Sequence, residues 1–467
     1  MAVPPDHPRE AHSRFVNYEA LVGHGRSRLR REALAVAAAA LAAADPASAL
    51  RRTLTVQGDT LYVADPQTGE RTSFSLRDRH VFVVGAGKAS LGIAQFLDEL
   101  LGPRITDGAV AVKRGQRPSA PLHFIEVIEA AHPIPDEQSL RAGLRLLGIA
   151  EQAQPSDLLI ATVTGGSSAL AVAPANGISL EDTIATNRIL LASGADIVAV
   201  NAVRKHLSRI KGGFLAATAG CSVLNLSVSD VVGDPPDAFT DLTVPDRSTF
   251  ATAQDVCTRF ALWDTLPPSV SARLRAADPH QETPKPGAFP TNRITTVVLA
   301  NSALMCQAAV DEARRLGYSA RLLSLNVEGE AAATGRDLAR RIAEEPPATA
   351  LIAGGENTVK LTEPDLQRAA GGPNQEVALA AAAEAPATSP SWCVLSLDSD
   401  GSDGPTAAAG GLVDDLTAQE SSERGVDMRA ALAAHTSHTA LAALDCLVIT
   451  GPTGTNVNDL KVALRGT

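Results

Sequence analysis

The chain has 467 residues, with 41 lysines and arginines against 52 aspartates and glutamates, for a formal net charge of −11. A 45% share of hydrophobic and a 20% share of charged residues is the balance of a folded protein of two or three domains, and it excludes wholesale disorder. The acidity excludes a non-specific nucleic-acid binder, and five scattered cysteines without a Cys-x-x-Cys pair exclude a zinc cluster or disulfide framework and fit a reducing cytoplasm.

Residues 1–12 read as a loose tail rich in proline and charge. A helical pattern follows over 13–49, whose alanine-rich run 33–44 falls short of the about 20 residues a membrane span requires. Acidic residues on both sides of that run fit neither a signal nor a transit peptide, so no membrane partner is expected. Two short strands around 54–56 and 60–63 are joined by the turn signal Gly58-Asp59. A strand at 81–84, a glycine-rich turn and an apolar helix then form one strong unit over 80–101.

The same grammar repeats, with strands predicted at 108–112, 158–163, 223–228, 295–300, 320–326, 348–353, 393–397 and 447–449. Helices are predicted between them, for example at 138–152, 183–193, 302–316 and 335–344. Strands alternating with helices predict an α/β protein of two Rossmann-like domains, each a mostly parallel sheet flanked by helices. The breakers Pro267-Pro268 and 282–287 put the boundary between a domain 1–288 and a domain 289–467.

In such sheets ligands sit beyond the carboxyl ends of the strands, so the loops there carry the candidate chemistry. Gly85-Ala86-Gly87-Lys88-Ala89-Ser90 reads as a phosphate cradle with Lys88 as a point charge, as an incomplete dinucleotide fingerprint, or as a structural turn. Thr164-Gly165-Gly166-Ser167-Ser168 offers close backbone approach and hydroxyls to a phosphate, or a tight turn with a serine cap. Asp230, at the end of a buried strand, is a metal ligand, a base or a cap, with Asp234 nearby.

The run Asp398-Ser399-Asp400-Gly401-Ser402-Asp403 gathers three acids that a cation would offset. It resembles the start of a calcium loop, but Ala409 stands where the bidentate glutamate belongs, so Mg²⁺ with a nucleotide is the better reading. Gly451-Pro452-Thr453-Gly454-Thr455-Asn456-Val457-Asn458-Asp459 offers backbone donors, two hydroxyls and two amides to polyol or phosphate oxygens. Over 201–213, if helical, Arg204, Lys205 and Ser208 share a face with Lys211 one turn on, a basic stripe suited to an anion. No nucleophile elbow, HExxH or full Walker A occurs, and the inventory suits phosphoryl transfer.

These loops, together with His132-Pro133-Ile134-Pro135-Asp136, residues 243–246, Gly354-Gly355-Glu356 and 371–376, resemble class II glycerate 2-kinases in motif order over nearly the whole chain. The resemblance implies a glycerate-kinase N-terminal domain, a MOFRL C-terminal domain and an active site in the cleft between them. It implies transfer of the γ-phosphoryl of ATP, with Mg²⁺, to a hydroxyl of a small molecule, by a monomer or homodimer in the cytoplasm. Lys88 is the implied catalytic lysine, with Asp230 and Asp403 as further catalytic groups and Asp230 and Asp400 as metal ligands. Gly85, Gly87, Gly165, Gly166, Ser167, Ser168, Lys205, Asn374, Gly454, Thr455 and Asn456 are expected on ATP. Arg204, Asp241, Glu356, Asp398 and Asn458 are expected on the acceptor.

The chain departs from the family at three loops. Pro373 replaces an arginine in the motif Gly-Gly-Arg-Asn-Gln-Glu, and Asp241 and Asp398 add negative charge. Losing a carboxylate-binding cation and gaining acids suggests a kinase retargeted to a neutral or cationic polyol, such as an amino sugar, aminocyclitol or aminoglycoside. An authentic D-glycerate 2-kinase, a hydroxypyruvate reductase and a non-catalytic nucleotide-binding protein are the rival readings.

Overall fold

The computed structural model describes residues 12–118, 120–229, 242–290, 293–362, 368–384 and 390–467. It divides into two compact units: Ala49–Leu299, and Met1–Ser48 together with Ala300–Thr467.

In the unit Ala49–Leu299, β1 (Leu54–Gln57), β2 (Thr60–Ala64) and β3 (Arg71–Ser75) make a small antiparallel sheet. The main sheet holds β4 (Val81–Ala86), β5 (Ile105–Lys113), β6 (Glu126–Ala130), β7 (Leu158–Val163), β8 (Ser222–Val228) and β9 (Ile294–Ala300). Their order is β6-β5-β4-β7-β8-β9, and the pairs β4–β5, β5–β6, β4–β7 and β7–β8 are parallel. Every residue of β4 and β7 is buried, as parallel strands covered on both faces must be. The covering helix Glu137–Ala150 starts at a capping box of Asp136 and Ser139 and packs Leu146 against Ala109, Ala161 and Ile128. The chain runs outward from β4 to β6 and then returns to the other side of β4 at β7. The carboxyl ends of β4 and β7 are therefore the topological switch point, where open α/β sheets bind ligands.

The other unit holds β10 (Ser319–Val327), β11 (Thr349–Gly355), β12 (Trp392–Asp398), β13 (Gly410–Asp414), β14 (Leu447–Val448) and β15 (Asp459–Arg465). Their order is β10-β11-β15-β12-β13-β14, and only β10–β11 is parallel. This corrects the expectation of a second mostly parallel sheet. The last strand inserts between β11 and β12 antiparallel to both, and the loop 399–409 reverses the chain from β12 to β13. Trp392, Val394, Val413 and Leu441 form its core.

The compact units also depart from the expected division at 288/289, because β9 extends the first sheet and the N-terminal helices belong with the last one. Arg30, on the helix Ser27–Ala43, is fully buried, with Nε on Asp414 Oδ2 at 2.6 Å and Nη2 on Thr417 Oγ1 at 3.3 Å. Among the described residues no single helix is long and apolar enough to cross a membrane.

Candidate functional site

At the switch point the loops after β4 and β7 are stitched together. A Cβ on Gly85 would lie 2.0 Å from Thr162 Oγ1, and one on Gly87, at φ +138°, 2.0 Å from Thr164 Oγ1. These glycines therefore answer to close packing between neighbouring strand ends, whatever else they bind. The Lys88 amide donates to Gly165 O at 2.9 Å, and the Ala89 amide to Thr164 Oγ1 at 3.1 Å. Lys88 is thereby set beside the Gly165-Gly166 turn, with its Cγ 3.6 Å from where a Gly166 Cβ would stand. His132 lies against the same turn, and burial, then Lys88 and Lys113, push its pKa down.

Beside this turn lies a cavity of about 210 Å³, lined by His132, Gly166, Ser168, Asn187, Arg188 and Arg204 and walled on its apolar side by Ile134, Ile184 and Leu191. A smaller void of about 30 Å³ shares Ser168, Asn187 and Arg204 with it and adds Lys211 and Thr186. Among the described residues no aspartate or glutamate lines either. Arg204 stands in the last turn of the helix Ile197–His206, capped at its start by Asp196, and its Nε donates to Asn187 Oδ1 at 2.7 Å. Lys211 is buried, its Nζ 3.4 Å from Ser168 O, and burial, then Arg204, push its ammonium down to about 7.

The expected basic helical stripe is corrected here. The helix ends at His206, so Ser208 and Lys211 lie on the chain beyond it. Lys205, expected on ATP, is buried in an ion pair with Asp246 Oδ1 at 3.0 Å. Asp246 is itself held by Ser248 and Thr283, so Lys205 serves the core rather than an open phosphate site.

The second cluster lies in the other unit, at the edge where β11 and β12 end and β15 begins. Asp398 and Asp459 are register partners across β12 and β15. Asp398 accepts from the Asp400 amide at 2.9 Å, and Asp400 from Ser402 N and Oγ at 2.8 Å. Burial, then Asp400 and Asp459, push the Asp398 carboxyl up to about 8. Asp459 is met by Lys461 Nζ at 2.8 Å and Asn374 Nδ2 at 2.8 Å, and Ser396 Oγ donates to Asn374 Oδ1 at 2.5 Å.

Asp403, expected as catalytic, is instead a helix cap. Its carboxylate accepts from the amides of Asn374 and Gln375, at 3.1 and 2.8 Å, at the start of the helix Pro373–Ala383, and from Gln375 Nε2 at 3.0 Å. Burial nonetheless pushes its carboxyl up to about 6. Thr455 Oγ1 and Asn458 Nδ2 are buried without a hydrogen-bond partner among the described residues, so the loop before β15 presents two donors unmatched there.

Two family models match parts of the chain, one described as a domain of unknown function (DUF4147) over residues 32–275 and one as the MOFRL family over 349–459. A glycerate 2-kinase of Pyrococcus horikoshii is 36% identical over 447 residues, 93% of this chain and 97% of its own length. The chain belongs to the glycerate 2-kinase family. A D-glycerate 2-kinase of Thermotoga maritima is 36% identical over 82% of this chain and 90% of its own length. A crystal structure of glycerate kinase from that organism superposes with a TM-score of 0.81 at 33% identity, covering 94% of this chain and 99% of the other. A relative in Agrobacterium vitis, 37% identical over 86% of this chain and 91% of its own length, carries the name putative hydroxypyruvate reductase.

Against the family pattern, the structure brings Lys88, Gly165, Gly166 and Ser168 to one turn with Arg204 nearby, and Asp398, Asp400, Asn374 and Asn458 to one edge of the second sheet. Ser167 is buried in the short helix Ser167–Leu170, Gly454 and Asn456 sit in the loop before β15, and Glu356 is exposed just past β11. Asp230 and Asp241 lie outside the described residues. Pro373 takes the first turn of its helix, where a missing amide hydrogen costs little. Residues the sequence reading did not assign to the site are Asn187, Arg188 and Lys461, and also His438, whose Nδ1 lies 2.8 Å from Gln375 Oε1; Lys211 was read only as part of the basic stripe, and Asp459 only as the end of the loop before β15. The alternation of β15 was the available signal for Asp459 and Lys461.

Proposed function

We propose that the chain is an ATP- and Mg²⁺-dependent kinase that phosphorylates a hydroxyl of a small 2-hydroxy acid, with D-glycerate the first acceptor to test. One observation carries this reading: the cavity at the switch point is lined by Arg188, Arg204 and, through the adjoining void, Lys211, and by no carboxylate among the described residues. Such a wall attracts an acid and repels an amine. On that ground the retargeting to an amino sugar or aminoglycoside, drawn from Pro373, Asp241 and Asp398, is set aside. The names of the relatives support the same acceptor class.

Lys88, beside the Gly165-Gly166 turn, is placed to stabilise charge on the transferring phosphoryl, and positioning with charge neutralisation is most of what phosphoryl transfer asks of a protein. The unmatched donors of Thr455 and Asn458 fit phosphate oxygens of ATP, as do the backbone amides near Gly454.

Among the described residues no three His, Cys, Asp or Glu side chains form a metal ligand set. A nucleotide-bound Mg²⁺ takes only one or two carboxylates and completes its shell with water and phosphate, so Asp398 and Asp400 fit it. Burial, then Asp400 and Asp459, raise the Asp398 carboxyl, and a cation bound there would offset that crowding of acids. Bound there, Mg²⁺ would neutralise phosphate charge. Asp230 keeps its proposed role as base or additional ligand.

The test is ADP release from ATP·Mg²⁺ across D-glycerate, other 2-hydroxy acids, neutral polyols and amino sugars. Turnover on the acids alone is expected. Turnover on amino sugars with the acids silent would overturn the reading.

A further inference from the structure

We infer that Arg204 and Lys211 together form the receptor for the acceptor's carboxylate, with Lys211 its specificity-determining cation. This rests on the kinase reading above and adds which residues read the acid.

Four cations stand close in sequence; Arg209 pairs with Glu151 at 3.7 Å, and the structure treats the other three differently. Lys205 is buried against Asp246 at 3.0 Å, a pair complete within the protein. Lys211 is equally buried at 4% exposure, yet its named partner is the carbonyl of Ser168 at 3.4 Å. Arg204 spends its Nε on the neutral amide of Asn187. Neither Arg204 nor Lys211 has an ion pair among the described residues. A buried ammonium beside a guanidinium, with no counter-charge, is costly unless something anionic completes it.

The backbone holds this arrangement in place. Ser208 Oγ accepts from the amides of Ile210 and Lys211, both at 3.2 Å, fixing the turn that carries Lys211 inward. Both cations line the small void that shares Ser168 with the larger cavity, and Ser168 belongs to the turn that positions Lys88. A carboxylate in that void would meet a planar guanidinium and an ammonium at once, while the rest of the acceptor extends toward the Gly165-Gly166 turn. A nucleotide phosphate is the other anion with this chemistry, and the KM for ATP separates the two.

The experiment compares wild type, Lys211→Met, Lys211→Arg and Arg204→Met in ADP release with D-glycerate and with its neutral amide, glyceramide. Binding of D-glycerate is measured alongside by calorimetry. Lys211→Met is expected to raise the KM for D-glycerate about ten- to a hundred-fold, the loss of one charge-assisted hydrogen bond. The KM for ATP should hold within about twofold, and the preference for D-glycerate over glyceramide should collapse. Lys211→Arg should recover most of the preference. If Lys211→Met does not fold, Arg204→Met is read by the same acceptor ratio.

An unchanged KM for D-glycerate, or a rise in the KM for ATP instead, would overturn the receptor. Lys211-dependent binding of D-glycerate by a protein that phosphorylates no hydroxy acid would support the receptor and overturn the kinase reading.

Discussion

Lys88, on the loop after β4, and the cavities beside it that Arg188, Arg204 and Lys211 line show no acid among the described lining residues, whereas the edge formed by β11, β12 and β15 gathers Asp398, Asp400, Asp403 and Asp459. The second cluster is partly balanced from within: Lys461 meets Asp459, and helix amides hold Asp403. The first is not. A charge left unbalanced in a folded protein marks where a ligand of opposite sign completes the structure, and by that measure the cationic region asks for an acid and the acidic one for a metal. The sharpest form of the contrast lies within the first region, between Lys205 and Lys211.

The largest effect should come from Lys88→Ala. Removing the cation proposed to stabilise the transferring phosphoryl is expected to lower kcat by about a hundred- to a thousand-fold while leaving the melting temperature in place. Unchanged kcat would remove Lys88 from the reaction. Next comes the pair of lysines. Lys205→Met strands buried Asp246 and should cost about 3–5 kcal/mol of stability by denaturant titration, whereas Lys211→Met removes an uncompensated cation and should cost none. Equal losses in the two variants would mean that Lys211 has a structural counter-charge and that the contrast is false.

Much of the first region was legible in the sequence, because parallel strands buried on both faces read as apolar runs and the turns after them are marked by glycine. The strand predicted at 158–163 is β7, and the loops on either side of the switch point fell where chemistry was sought. The second region was harder. β13 and β15 went unpredicted, because β15 inserts between strands distant in sequence and alternation in a seven-residue strand whose residues are mostly buried is faint. Lys461 was lost with it, and Asp459 was read only as the end of the preceding loop. The sequence likewise exposed a cluster of cations at 204–211 but not their partners. Asp246 neutralises Lys205 from 41 positions away, and no local spacing reports that.

A smaller effect should appear in the pH dependence of stability. Asp398 has its pKa raised from 3.8 to about 8, so the folded state binds a proton more tightly than the unfolded one. Stability contributed by this group is therefore present below about pH 4 and is lost as pH rises to about 8. Asp398→Asn should flatten that fall, and added Mg²⁺ should flatten it in the wild type if Asp398 and Asp400 hold the ion. Melting temperatures across that range, with and without Mg²⁺, check both. A slope that ignores Mg²⁺ would take the metal away from this pair.

The smallest expected effect is that of Pro373→Arg, and it decides between the two regions. Pro373 sits at the start of the helix Pro373–Ala383, where an arginine fits the backbone as readily, so the fold should tolerate the change. If Arg204 and Lys211 already read the acceptor's carboxylate, an arginine in the other unit has little left to add for that group, and the KM for D-glycerate should move by less than about threefold. A gain of about tenfold or more in kcat/KM would mean that the acid is read from this helix, that the cationic cavity serves another anion, and that the loss at Pro373 was a loss of acceptor affinity.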